Sequence, residues 1–208
     1  MTPDNPNATA QNVVSTTWWT PRRTKLAGIC GLIGGIGGLT VARLPIGAAG
    51  LGIAPSAVGI LYPVWYGLFV VALLAANARY DSSRSVTALF GLSLVSYAGS
   101  TIILSVGTTV FDSLLTPIGF LAGMAYLAMR VLGCLYGISL WRQTGTSRLT
   151  AGLFIINLPA IVIFAALNQL GFPDWLILGA TLYPAFLVLG YDLWRTGANT
   201  ATRNEAIA

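Results

Sequence analysis

SLLTPIGFLAGMAYLAMRVLGCLYGISLW, the stretch from Ser113 to Trp141, decides how this chain is read, because it is apolar throughout except for one cation at its centre, Arg130. A helix needs about 20 apolar residues, at about 1.5 Å each, to cross a hydrocarbon core of about 30 Å. This stretch is long enough. A charge at the middle of a bilayer costs from about 3 to over 10 kcal/mol, so such residues face a bundle interior and often mark function.

The composition extends that reading to the whole chain. Of 208 residues, 55% are hydrophobic and 8% charged, far below the roughly 25% charged content of soluble domains. An all-α, polytopic membrane protein is expected. Its net charge of +5 does not point to nucleic acid, because the basic residues other than Arg130 fall at or beyond the ends of apolar runs, where they encode topology. Histidine is absent, which removes haem ligation by His, His-containing zinc sites and Ser-His-Asp catalysis. Lys25, the one lysine, lies at a helix start, so a mid-membrane Schiff base is unsupported. Cys30 and Cys134 each sit in an apolar run and read as small core residues. No metal or cofactor is expected, and no enzyme, since no span pairs a nucleophile with a base or brings two carboxylates together.

Outward from Arg130 the chain divides into a polar, disordered tail over residues 1–21, a six-helix transmembrane domain over 22–195 and a frayed polar tail over 196–208. The first tail lacks the basic start and apolar core of a cleavable signal. Trp18 and Trp19 before Arg22, Arg23 and Lys25 read as an interfacial anchor. Spans are expected at about 24–43, 56–78, 85–105, 117–141, 148–169 and 175–194, with Thr116 and Pro117 as cap and first-turn proline of the fourth. Asp112 and Asp174 then fall in outer connections. In the first span Gly28, Gly31, Gly34, Gly35, Gly37 and Gly38 form overlapping small-xxx-small pairs, which let helix backbones approach closely in lipid. Gly31, Gly34, Gly35 and Gly38 are the packing residues expected, against a helix of the same chain or a second copy.

Six spans place Arg22, Arg23, Lys25, Arg79, Arg84, Arg142, Arg148, Arg195 and Arg203 on one side and leave Arg43 alone on the other. By the positive-inside rule both termini are cytoplasmic, in the cell membrane. Basic starts at Arg23, Arg84 and Arg148 suggest three helical hairpins. Leu140-Trp141-Arg142 recurs as Leu193-Trp194-Arg195, and Leu61-Tyr62-Pro63 as Leu182-Tyr183-Pro184; inward-facing anchors would produce much of this without duplication.

The segment LYGISLWRQTG from Leu135, with RLTAGL from Arg148 and RTKLAG from Arg23, resembles an uncharacterised prokaryotic membrane family, domain of unknown function 4386. The resemblance covers about Arg22 to Gly197. It implies six helices and no activity; the Gly-rich first span and the apolar loop from Leu44 to Pro55 depart from that family's pattern.

Counting from each cytoplasmic arginine puts Arg130 about 18 Å deep, with Tyr66, Tyr97 and Tyr183 at about 18–20 Å and Asn157 at about 14 Å. These five residues are the candidate ligand-binding layer. No carboxylate reaches it, so hydroxyls, an amide, carbonyls freed by Pro63, Pro159 or Pro184, water or a bound anion must satisfy Arg130. Two functional classes remain: a non-enzymatic scaffold, subunit or homo-oligomer in the lipid bilayer, and a small transporter or receptor holding an anionic or lipid-like ligand at Arg130.

Overall fold

The computed structural model describes residues 18–41, 55–80, 82–107, 112–143, 145–171 and 181–205. The tail ahead of Trp18, Arg43 with the apolar loop around it, and the turn carrying Asp174 lie outside them. The described residues form six helices and no strand: α1 Pro21–Val41, α2 Pro55–Tyr80, α3 Arg84–Gly107, α4 Asp112–Trp141, α5 Arg148–Gln169 and α6 Leu182–Glu205. Each helix packs on the next in sequence, α6 closes the ring on α1, and α2 touches α6 across it.

Three expectations need correction. Asp112 is not in a loop; it opens α4, which runs through Pro117 without a break. The Thr116–Pro117 cap is therefore not the helix start. Pro63 and Pro159 likewise stand inside continuous helices. Third, α6 does not end at Arg195 but continues to Glu205, so residues 196–205 are helix rather than a frayed tail. The polar sequence after Arg195 had hidden this, because a helix leaving an apolar layer for water keeps its hydrogen bonds while its side chains change character.

The closure of the ring depends on glycine. A Cβ added to Gly28 would stand 2.4 Å from the backbone nitrogen of Trp194, and one on Gly190 would stand 2.6 Å from that of Leu32. Gly31, Gly35 and Gly38 meet Gly190, Leu187 and Tyr183 of α6 in the same way, while Gly34 faces Phe69 of α2. The small-residue face is thus filled within the chain, by α6 on one side and α2 on the other. At Gly28, Gly31, Gly35 and Gly190 a larger side chain would meet backbone, whereas at Gly34 and Gly38 it would meet the rings of Phe69 and Tyr183.

Opposite this seam, five helices each send one ring to the centre. Phe69 stacks on Phe186 at 4.1 Å, Phe154 meets Phe186 edge-on at 5.2 Å, and Phe90 and Tyr136 complete the cluster. Edge-to-face and offset pairs contribute about 0.5–1.5 kcal/mol each beyond area burial. The rings are fully buried.

The helix ends flanked by basic residues gather at one end of this bundle. The starts of α1 and the ends of α2 line a cavity with Thr196 and Gly197 of α6. Ser83, before α3, donates its amide to Ser139 Oγ near the end of α4 at 3.2 Å, and Thr150 of α5 donates to Asp192 of α6 at 2.6 Å. The α2–α3 turn is held by Asn77, whose Oδ1 accepts from Ser82 and Thr87 at 2.9 and 3.1 Å. Gly145, at φ +102°, supplies the left-handed residue that the short α4–α5 connection requires.

Among the described residues two helical segments, Arg84–Leu104 and Pro117–Trp141, are long and apolar enough to cross a membrane, with mean hydropathy 1.6 and 1.7. Only 33% and 22% of their apolar windows are buried, so each gives one face to the core, with Phe90 and Tyr136, and turns the larger part of its apolar surface outward.

Replacing Gly190 by Ala is expected to lower stability by about 1–3 kcal/mol, the range for overpacking. Gly67→Ala, at a site with nothing within 4 Å, should be neutral or gain up to about 1 kcal/mol. Thermal unfolding of the two purified variants compares them directly, and equal effects would remove the seam argument.

Candidate functional site

On each of the five ring-bearing helices, the chain turns from aromatic to polar within one or two turns of the central ring, moving away from the basic end. Phe69 gives way to Tyr66, Phe154 to Asn157, Phe186 to Tyr183, and Tyr136 to Arg130. On α3 the step is from Phe90 to Tyr97. The offsets are three residues on α2, α5 and α6 but six on α4 and seven on α3, so it is the contacts among these side chains that gather them into one layer.

Arg130 is at the middle of it, with 2% of its surface exposed. Its Nη1 donates to Oδ1 of Asn157 on α5, and its Nη2 donates to the Tyr126 hydroxyl at 2.8 Å. The guanidinium carbon also lies 4.7 Å from the centroid of the Tyr126 ring, within cation–π range. Asn157 Oδ1 accepts a second bond, from Thr181 at 2.9 Å. One amide oxygen therefore ties α4, α5 and the start of α6 together.

Asn157 can come this close because residue 133 is glycine. A Cβ there would stand 2.9 Å from Asn157 Nδ2 and 3.3 Å from the Phe90 ring. Gly133 thus sets the α4–α5 spacing on which the Arg130 bond depends.

The tyrosines extend the layer sideways. Tyr97 lies 5.6 Å from Tyr126 and 5.4 Å from Tyr66, centroid to centroid. Tyr66 in turn pairs with Tyr183 and is close enough to Arg130 to feel its charge. Of the five candidate residues read from sequence, Asn157 touches Arg130 directly, while Tyr66, Tyr97 and Tyr183 connect to it through Tyr126 and one another. Tyr126 and Thr181 were missed. Tyr126 was within reach of a simple rule, since it precedes Arg130 by one helical turn and so lies on the same face. Thr181 had no such signal.

The arrangement satisfies hydrogen bonds but not charge. Arg130 is always protonated and carries five N–H donors; its Nε is buried without a partner, as is Nδ2 of Asn157. Among the described residues no carboxylate pairs with Arg130. Asp192 is spent at the basic end, where it accepts from Thr150 and from the backbone of Ser147. Carbonyls freed by the prolines are not among Arg130's partners. Elsewhere the polar spans are self-contained: Ser93 and Ser100 donate to carbonyls of their own helix at 2.7 and 2.8 Å, and both cysteines are free thiols.

Comparison of the chain with protein-family models, curated proteins and solved structures found no match. The geometry of the layer has to carry the functional reading by itself.

The Arg130–Asn157 bond is measurable by a double-mutant cycle. Asn157→Ala is expected to cost about 1.5–3 kcal/mol in the native background, as for hydrogen bonds to charged groups, and far less once Arg130 is Met. Additive losses in thermal unfolding would mean that the two side chains are not coupled.

Proposed function

We propose that this protein is a multi-pass integral membrane protein with six transmembrane helices in three hairpins and both termini cytoplasmic, acting without catalysis as a scaffold, subunit or oligomer. The observation that carries this reading is the inverted distribution of polarity. Leu92, Phe120 and Val162 are 62%, 70% and 72% exposed, whereas Arg130 and Asn157 are buried. In water, large apolar side chains exposed on successive helices would be an aggregation surface; in lipid they face a matching solvent, and polar groups turn inward. The two long apolar segments in α3 and α4 support the same reading, as do the basic residues that share one end of the bundle.

The non-catalytic part of the proposal rests on the chemistry of the polar layer. A guanidinium, an amide and phenols bind and position; they do not supply a nucleophile with its base. A second reading, a small transporter or receptor for an anionic or lipid-like ligand, is favoured by one observation: the charge on Arg130 has no counter-charge among the described residues, and two buried donors beside it lack acceptors. An anionic acceptor would supply both needs at once.

Topology tests the first reading. Single cysteines at Ser83 and Gly145, in a chain with Cys30 and Cys134 replaced by Ala, should react with a membrane-impermeant maleimide in inside-out vesicles and not from the outside of intact cells. Spin labels at Leu92 and Val162 should collide with oxygen far more than with a water-soluble nickel chelate. Labelling of both loops from outside would reverse the orientation, and nickel accessibility at both apolar positions would end the membrane reading. For the second reading, native mass spectrometry should find a small anion on the wild type that Arg130→Met loses; a ligand-free wild type leaves the scaffold reading alone.

A further inference from the structure

At the basic end, the first residues of α1, the last turns of α2 and the far part of α6 enclose a cavity of about 140 Å³. A single water needs only about 10–15 Å³ of such space, so a phosphate-sized group fits. Arg79 supplies the charge in its lining, with Trp19, Thr24 and Thr196 around it and the small side chains of Ala75 and Ala78 leaving the floor open. The neighbouring cations are differently engaged or placed: Arg23 donates to the Trp18 carbonyl at 2.8 Å and covers the Trp18 ring at 4.3 Å. The Thr24 hydroxyl donates to the Thr20 carbonyl at 3.2 Å, which leaves its oxygen as an acceptor. The Tyr80 hydroxyl, next to Arg79 in sequence and outside the lining, is buried without a hydrogen-bond partner among the described residues. Asp192, the nearby described carboxylate, is committed to Thr150 and Ser147.

One turn further from this end on α2, Leu74 and Val71, each four residues before a lining alanine, are exposed. A cationic, hydroxyl-lined cavity therefore adjoins apolar surface on α2. A free anion would use only the first part; a phospholipid uses both, with its phosphate at Arg79 and an acyl chain along the helices. Basic pockets between helices on the cytoplasmic side are suited to anionic headgroups. Thr24, as an acceptor, favours a headgroup that carries hydroxyl donors over a quaternary ammonium, which Arg79 would also repel.

We propose that the cavity among α1, α2 and α6 is a binding site for the headgroup of an anionic, hydroxyl-bearing phospholipid, held through Arg79. The proposal rests on the membrane reading above, and the test separates the two. The full-length protein is reconstituted in nanodiscs containing equal phosphatidylglycerol and phosphatidylcholine, and retained lipid is counted by native mass spectrometry after mild extraction. The expected result is preferential retention of phosphatidylglycerol, lowered about fivefold by Arg79→Gln, the factor for one basic residue at an anionic surface, and kept by Arg79→Lys. Arg84→Gln, at the same end but outside the cavity, should leave retention unchanged. Equal losses in Arg79→Gln and Arg84→Gln would reduce the effect to general surface charge and overturn the site. Displacement of the lipid by millimolar inorganic phosphate would assign the cavity to a free anion and overturn the lipid proposal. Normal incorporation into nanodiscs without any preference for phosphatidylglycerol overturns the site while leaving the membrane reading intact; failure to incorporate overturns both.

Discussion

A permanent charge sealed away from water constrains everything packed around it, and in this protein that charge is Arg130. Its terminal nitrogens need acceptors at fixed directions, so α5 must bring Asn157 to one side and α4 must present Tyr126 one turn back on the other. Asn157 reaches its place only because Gly133 yields the space. Its oxygen, shared with Thr181, then settles where α6 begins. A single guanidinium thus fixes the spacing and axial register of three helices. Buried ionic groups seldom add net stability once desolvation is counted, and register is their best-attested contribution.

The two sides of the bundle solve the packing problem in opposite ways. Between α1 and α6 the helices are in backbone contact, with glycines on both, and little side-chain volume lies between them. Across the bundle the space is filled by large rings from α2 to α6. In the lipid setting proposed above there is no hydrophobic gain for bringing apolar helices together, so close van der Waals contact and interhelical hydrogen bonds would supply the association energy. The glycine seam maximises the first. The Arg130 layer and the Thr150–Asp192 bond supply the second.

Much of this architecture was legible before any coordinates. Helix positions followed from apolar length and terminal arginines because both report the same physical boundary, and the start and end of α5 agree with that reading. A helix converts residue number into distance, and the structure joins Asn157 to Arg130 although the count set Asn157 about 4 Å shallower. What could not be read was azimuth. Nothing in the spacing of Gly31, Gly34, Gly35 and Gly38 says which helix they will meet, and Gly190 and Gly197 are too far from them in sequence to be paired by a local rule. The C-terminal boundary failed for a different reason: Arg195 marks where the apolar surface ends, which is not where the hydrogen-bonded helix ends. Tyr126 carries the one local signal in the layer: it precedes Arg130 by four residues on the same helix, the spacing at which side chains meet.

The seam between the first and last helices also bears on how the chain comes into being. Chains emerge N-terminus first, so α1 leaves the ribosome with its glycine face unmatched and waits through the synthesis of four further helices for α6. Arg130 likewise appears before Asn157 and Thr181, and for that interval Tyr126 is the one of its two hydrogen-bond partners already made. The bundle therefore has no self-sufficient amino-terminal half: truncation after any helix before α6 leaves both an open backbone groove and an unfinished polar layer. Completion of the last helix closes the groove and brings Thr181 to Asn157 in the same step.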